Sequence, residues 1–364
     1  DMLWAVSQAA PLRRIVVRGS LNLAEYVHGV GMGFSSGGYM GNVLVTKQVN
    51  SGSQQQWFTR NADVQGGWFQ AVWNMVFVGT RGAPASHCGR APGALVSVNV
   101  PETDVIAEKP FISADPDGRY FLHIPEVQRG RVGADFDSPA ALGRRVDFGS
   151  VFVARDDADS AETINEQLRQ GLHVVLSPGI YNLEAPLEVS HDGQVVLGLG
   201  MATLVAANGG SAIRVGNVGG VRISGVLLQA GTGDTDALLD WGDGTYPGSD
   251  ANPGFLHDVF ARVGGPNDEY QQQVRAKVMV RISSGHVIGD NLWLWRADHG
   301  IAGIVKDSRN PCDHGIVVKG DHVSMFGLAV EHTLKDLLIW SGNDGATYFF
   351  QSELPYDVNQ ENFD

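Results

Sequence analysis

The chain has 364 residues, 43% of them hydrophobic and 18% charged, a balance that excludes a disordered protein. Its 26 Lys and Arg against 40 Asp and Glu leave a net charge of −14, and no basic run occurs, which excludes a nucleic-acid partner and disfavours polyanionic ligands. No apolar run approaches the length of a membrane span, and two cysteines, Cys88 and Cys312, are too few for a disulfide framework.

Taken in chain order, short β-rich runs are predicted at residues 12–18, 39–45, 56–61 and 74–78. A more charged stretch with Pro and Gly follows from about 110 to 147, with a strong turn signal at 115–118 (DPDG). Helical periodicity is scarce, and its clearest candidate is 158–170, with Ser160 as N-cap and Gly171 as terminator. After the run 173–181, apolar and polar residues alternate in strands at 195–199, 221–228, 255–263, 286–295, 322–330 and 346–353. Their starts lie roughly 20 to 35 residues apart, the spacing of stacked coils with variable loops.

A β-sandwich would also give many short strands, at closer and more even spacing. The choice falls on a coil because residues 321–331 (DHVSMFGLAVE) resemble residues 344–353 (DGATYFFQSE) one turn later. The expected fold is therefore all-β, a right-handed parallel β-helix of the pectin-lyase kind, with two β-helical units of which the first is incomplete. The expected division is 1–110 for the C-terminal part of the first β-helix, 111–157 for a connector, and 158–364 for the second with its capping helix. The 47 glycines suit such a fold, which needs many tight turns and bulges. The opening Asp1, Met2, Leu3, Trp4 reads as an excerpt from a longer precursor.

Chemistry concentrates near the C-terminus. Glu331 and Glu353 are 22 residues apart, one coil, so both can project from neighbouring rungs of one face. Paired carboxyls at 5 to 10 Å suit cleavage of a glycosidic bond, one protonating the leaving oxygen. The plainer alternative is two surface glutamates on consecutive rungs. Trp293 and Trp295 share one strand face and can stack on sugar rings, although packing is the better reading for most of the tryptophans. Asp298 and His299, and the pairs Asp313–His314 and Asp321–His322, sit at expected turns and fit no metal signature; Asp298 and His299 can still border a cleft.

Five segments in order, 4–12 (WAVSQAAPL), 36–41 (SGGYMG), 55–61 (QQWFTRN), 330–332 (VEH) and 351–356 (QSELPY), resemble glycoside hydrolase family 55. Over residues 170 to 360 the chain also resembles large secreted actinobacterial and fungal β-helix proteins, some of them called adenylyl cyclase or coagulation factor 5/8 type domain proteins. No phosphate-cradling glycine loop supports a cyclase. The family resemblance implies an extracellular, monomeric β-1,3-glucanase that inverts configuration, works on neutral glucan without metal or cofactor, and contacts neither nucleic acid nor membrane. It further implies Glu353 as general acid, with Gln8 and Ser36 holding the attacking water, Glu331 assisting, and Tyr356 near the substrate. Ser7 and Ser35 are alternatives should the alignment slip by one, and a polar ladder capping strands is the structural alternative for Gln8 and Ser36. A polysaccharide lyase and a non-catalytic glycan-binding β-helix are the rival functions.

Overall fold

The computed structural model describes residues 1–69, 74–87, 96–264, 273–298 and 309–356. Two compact units emerge, Asp1–Glu108 with Ile124–Arg144, and Lys109–His123 with Arg145–Asp364.

In the first unit, strands β1 (Pro11–Val17), β2 (Tyr39–Val45), β3 (Gln56–Arg60), β4 (Asn74–Val78) and β5 (Ser97–Val100) pair in sequence order, all parallel. A second parallel sheet runs through Met2–Leu3, Leu21–Asn22, Val49–Asn50 and Trp68–Phe69. Consecutive strands that pair side by side in parallel must each be returned by a crossover, and here the crossover is the other sheet. Leu12, Leu21, Met40, Val43, Val49, Trp57 and Phe77 point inward and form one apolar core.

The second unit repeats the pattern at greater length. Its main sheet comprises β6 (Val151–Ala154), β7 (His173–Leu176), β8 (Val195–Ala206), β9 (Arg222–Ala230), β10 (Gly254–Val263), β11 (Val287–Arg296), β12 (Ser324–Glu331) and β13 (Ala346–Glu353). These alternate along the chain with a six-stranded sheet from Leu187–Val189 to Leu338–Trp340, so the chain winds as a parallel β-helix. Register partners are 22 residues apart at Val151 and His173, 27 at Val195 and Arg222, 33 at Arg222 and Phe255, 36 at Ile288 and Ser324, and 22 again at Ser324 and Ala346. The spacing expected of the coils thus holds, with the loops absorbing the differences.

The expected helix forms over Ala161–Arg169, shorter than the sequence suggests, and a four-residue helix also spans Pro139–Leu142. The Ser160 hydroxyl accepts from the Thr163 N–H at 3.1 Å, and Gly171 turns the chain at φ +81°. Ala161, Ile164 and Leu168 join the core of the coil. The signal at 115–118 forms the turn of an antiparallel hairpin, Phe111–Ala114 with Tyr120–Ile124, closed by the Gly118 N–H on the Asp115 carbonyl at 3.0 Å.

One column of residues bends the successive strands from Arg222–Ala230 to Ala346–Glu353. Gly225, Asp258, Asn291, Gly327 and Phe349 have φ between +49° and +77°, and each is the residue skipped in its ladder. Arg14, Asn42, Asn61 and Gly79 make the same column in the first unit, at +48° to +57°. Such left-handed single residues act as bulges that turn a strand sharply. Gly and Asn adopt that conformation at least cost, and Asn291 adds a buried hydrogen bond from Nδ2 to Asp258 Oδ1 at 2.9 Å.

Burial of charge also follows the coils. In the first unit the Glu108 carboxyl is fully buried and receives Arg60 through two bonds, 2.9 and 3.1 Å, with Arg131 on the same carboxyl. Burial alone would raise its pKa, but the two guanidinium groups hold it far below the ordinary carboxylate range. Cys312 is buried in the second core, where desolvation pushes its thiol up to about 12; Cys88 lies outside the described residues.

The column makes a direct prediction. Asn291→Val, which places a β-branched residue at φ +71° and breaks the bond to Asp258, is expected to cost about 2–4 kcal/mol, and Asn291→Gly only about 1 kcal/mol. Urea unfolding midpoints of the two variants check the order; equal losses would show that the backbone conformation carries no cost.

Candidate active site

Strand alternation decides which side chains meet. In β11, Leu292 and Leu294 enter the core while Trp293 and Trp295 face outward. The same parity puts Leu328 and Val330 of β12 inside and Glu331 outside, and it puts Gln351 and Glu353 of β13 on the outer face. Register then stacks Arg262, Trp295, Glu331 and Glu353 in one column, with Phe260, Trp293, Ala329 and Gln351 in the next. The two carboxylic residues are direct ladder partners, one strand spacing of about 4.8 Å apart along the backbone.

The two carboxyls live in different surroundings. Glu331 is 1% exposed, whereas the Glu353 side chain is 29% exposed. Desolvation raises the Glu331 pKa to about 7, and the neighbouring charge of Glu353 pushes the same way. The Trp293 indole, His332 and the Gln351 amide pull against that rise without cancelling it. Glu353 is the better-solvated member and is held by donors: Gln351 Nε2 reaches its Oε1 at 2.8 Å, and the Tyr356 hydroxyl its Oε2 at 3.0 Å. Tyr356 is 74% exposed, and its own pKa is pushed up to about 12, first by desolvation and then by its bond to Glu353.

Around the pair, the Trp293 and Trp295 rings stack with centroids 5.0 Å apart and planes inclined by 17°. The Trp295 indole N–H donates to Asp298 Oδ1 at 3.2 Å, which fixes the outer ring. Asp298 in turn lies 3.8 Å from His332 Nδ1. His299 lies outside the described residues. Packing accounts for the other tryptophans as the sequence suggested: Trp57 and Trp241 are wholly buried, and Trp68 meets Phe77 edge-on at 4.9 Å. Trp73 lies outside the described residues. Among the described residues, no group of three His, Cys, Asp or Glu side chains is placed to hold a metal ion.

In the first unit, Gln8 and Ser36 are joined by the Gln8 N–H donating to the Ser36 carbonyl at 3.1 Å. Gln8 and Ala9 both take left-handed backbone, φ +47° and +50°. Gln54, fully buried, ties these segments down: its amide donates to the carbonyls of Leu23 at 2.8 Å and Val6 at 3.1 Å, and its Oε1 accepts the Gly37 N–H at 2.8 Å. Ser35 is buried, and its carbonyl accepts the Gln55 N–H. Three residues that sequence reasoning passed over therefore matter here: Gln54, Gln351 and His332. Gln54 and Gln351 both fall in or beside the family-like segments, and His332 ends one of them.

A carboxyl that keeps its proton near neutrality, beside a solvated one on a face lined with stacked indoles, is equipped for acid–base work on a ring-shaped apolar-faced substrate. Comparison with known proteins agrees in kind. The LAM55 pectate lyase-like domain family matches residues 151–353. An exo-β-1,3-glucanase of Streptomyces sp. (strain SirexAA-E / ActE) is 40% identical over 356 residues, which are 98% of this chain and 56% of that protein. The structure of sacteLam55A from Streptomyces sp. SirexAA-E superimposes with a TM-score of 0.90 at 39% identity, covering 99% of this chain and 63% of the other. A variant of sacteLam55A in complex with glucose gives 0.89 at 38%, covering 99% and 62%. The chain thus spans little more than half the length of the Streptomyces relative.

The raised Glu331 pKa is also a stability statement. The folded state binds this proton more tightly than the unfolded chain does, so stability is greatest below about 4.5 and falls as pH rises to about 7. The shift corresponds to roughly 3 kcal/mol at most. Glu331→Gln should flatten the decline in melting temperature between pH 4.5 and 7; an unchanged slope would remove Glu331 as its source.

Proposed function

Because the chain belongs to the LAM55 group of glycoside hydrolase family 55, we propose that it is the catalytic core of an extracellular enzyme that hydrolyses β-1,3-glucan. The observation that carries the reading is the ladder pairing of buried Glu331 with solvated Glu353 beside the stacked Trp293 and Trp295. The name of the Streptomyces relative supports exo action on this linkage. The net charge of −14 supports a neutral glucan over a polyuronate.

In the proposed mechanism, Glu353 gives its proton to the leaving glycosidic oxygen as the bond to the anomeric carbon breaks. Water attacks that carbon from the opposite side, inverting it, with no cofactor. Glu331 lies one strand away, and because two carboxyls at that spacing resist ionising together, the pair retains a proton up to about 7. The indoles of Trp293 and Trp295 take sugar faces, with Asp298 and Tyr356 at their border. For Gln8 and Ser36 the water-orienting role rests on the family resemblance, and their pinning by Gln54 suits groups that must hold a fixed position. A lyase would need a cation free to acidify a proton beside a uronate; Arg296, the buried guanidinium nearest His332, is instead committed to the backbone carbonyls of Arg309, Asn310 and His332.

Reducing-sugar release from laminarin, with pustulan, starch and pectate alongside, tests the reading. Glu353→Gln is expected to lower kcat on laminarin by about 10²–10⁴-fold with the fold intact. Silence of the folded wild-type protein on every glycan would leave a glycan-binding coil instead, and full activity in the variant would sink Glu353 as the acid. The anomer formed first, followed by NMR, is expected to be α; a β product would exclude inversion.

A further inference from the structure

His332 is the titratable neighbour of Glu353 that no step above uses. It follows Glu331 at the end of β12, is 1% exposed, and holds left-handed backbone at φ +62°. Its main chain is fixed on both sides, the N–H donating to the Glu353 carbonyl at 2.8 Å and the carbonyl accepting Arg296 Nη1 at 3.0 Å. The ring is fixed too, against the Tyr356 ring with centroids 4.9 Å apart.

The tautomer follows from the partners. His332 Nδ1 lies 3.2 Å from the Arg296 carbonyl oxygen, which can only accept, so Nδ1 carries a hydrogen in every state. The other nitrogen, Nε2, stands 3.5 Å from Glu353 Oε2. A neutral ring would then aim its lone pair at a carboxylate oxygen, and two acceptors facing each other repel. One proton between them removes the conflict, whether it sits on Nε2 or on Oε2.

The groups facing the ring favour keeping that proton. Glu331 on its own strand, Asp298 at 3.8 Å from Nδ1 and Glu353 on the next strand supply carboxyls, against one buried guanidinium, that of Arg296, among the described residues. Tyr356 and Gln351 contribute donors to Glu353 and no charge. Burial works against an imidazolium here, yet the Glu353 bond and the charges of Asp298 and Glu331 outweigh it, and the His332 pKa lies above the ordinary histidine value.

We propose that His332 is a positioning residue that shares one proton with Glu353 and keeps the acid loaded through the neutral range. This rests on Glu353 being the general acid. As the glycosidic bond breaks, its electron pair goes to the leaving oxygen, which takes the proton of Glu353. The attacking water forms the new bond to carbon and releases one proton to solvent. The transfer to the leaving oxygen leaves the Glu353 carboxylate facing a neutral ring, and one proton from solvent, taken up at His332 Nε2 or Glu353 Oε2, restores the shared proton, so the turnover is water plus glycoside to two hydroxyl products.

The test uses the full chain, with pH profiles on laminarin for wild type and His332→Asn, since Asn tolerates the left-handed backbone. The alkaline limb of kcat/KM is expected to move at least one pH unit toward acid, with kcat at pH 7 down about tenfold and KM changed less than twofold. A profile lowered at all pH values with its limb in place would overturn the proposal. A second arm follows the His332 imidazole by NMR in wild type and in Glu353→Gln. The ring is expected to lose its charge at lower pH in the variant; identical titration in both would also overturn the proposal. Should wild type release nothing from laminarin while the imidazole still responds to Glu353, the glucanase reading fails and the shared proton stands.

Discussion

In a parallel coil, every outward side chain is held one strand spacing, about 4.8 Å, above or below the side chain at the same position in the next turn. The backbone ladders fix that distance and leave side chains only their rotamers to adjust. Trp293 and Trp295 lie along one strand, two residues apart, and their rings settle face to face. Glu331 and Glu353 are placed across strands, and two carboxyls at that spacing resist ionising together. Much of the chemistry of this site is thus a product of repetition, because the fold sets like groups in line and the environment then makes them unlike.

The two units show how differently the same problem is resolved. Glu108 and Glu331 are both buried carboxyls. Two guanidinium groups reach Glu108, and it is an ion throughout the useful pH range. Among the described residues no guanidinium pairs with Glu331; an indole, an amide and His332 pull its pKa down less than burial and another carboxyl raise it, and it holds its proton to about 7. Arg296 lies on the strand beside that of Glu331, yet its donors go to the backbone carbonyls of Arg309, Asn310 and His332. The difference between structural and chemical burial here comes down to where one arginine points.

The sequence made the strands carrying Glu331 and Glu353 legible because their pattern recurs at one coil length, and the offset of 22 is the register found. The six-stranded companion sheet escaped notice: segments such as Ile213–Val215 and Leu338–Trp340 are three residues long, too short for alternation to register. The Glu108 network joins residues 48 and 23 positions apart, beyond the reach of any local pattern. His332 was visible as the last letter of a family-like triplet, but its importance lies in a left-handed φ and two ring contacts, which only the folded backbone reveals. Gln54 is a similar case, since the first of three consecutive glutamines gives no sign that it will be the buried one.

The column of left-handed residues separates two kinds of variation. Because each coil bends at Gly225, Asp258, Asn291, Gly327 or Phe349, the strand beyond the bend starts from the same address whatever the length of the loop before it. Coils of 22, 33 and 36 residues therefore deliver Arg262, Trp295, Glu331 and Glu353 to one vertical line. Loops can lengthen, shorten or be exchanged among descendants while the acid pair stays in alignment, so the scaffold lets the rim of a site diversify without renegotiating its centre.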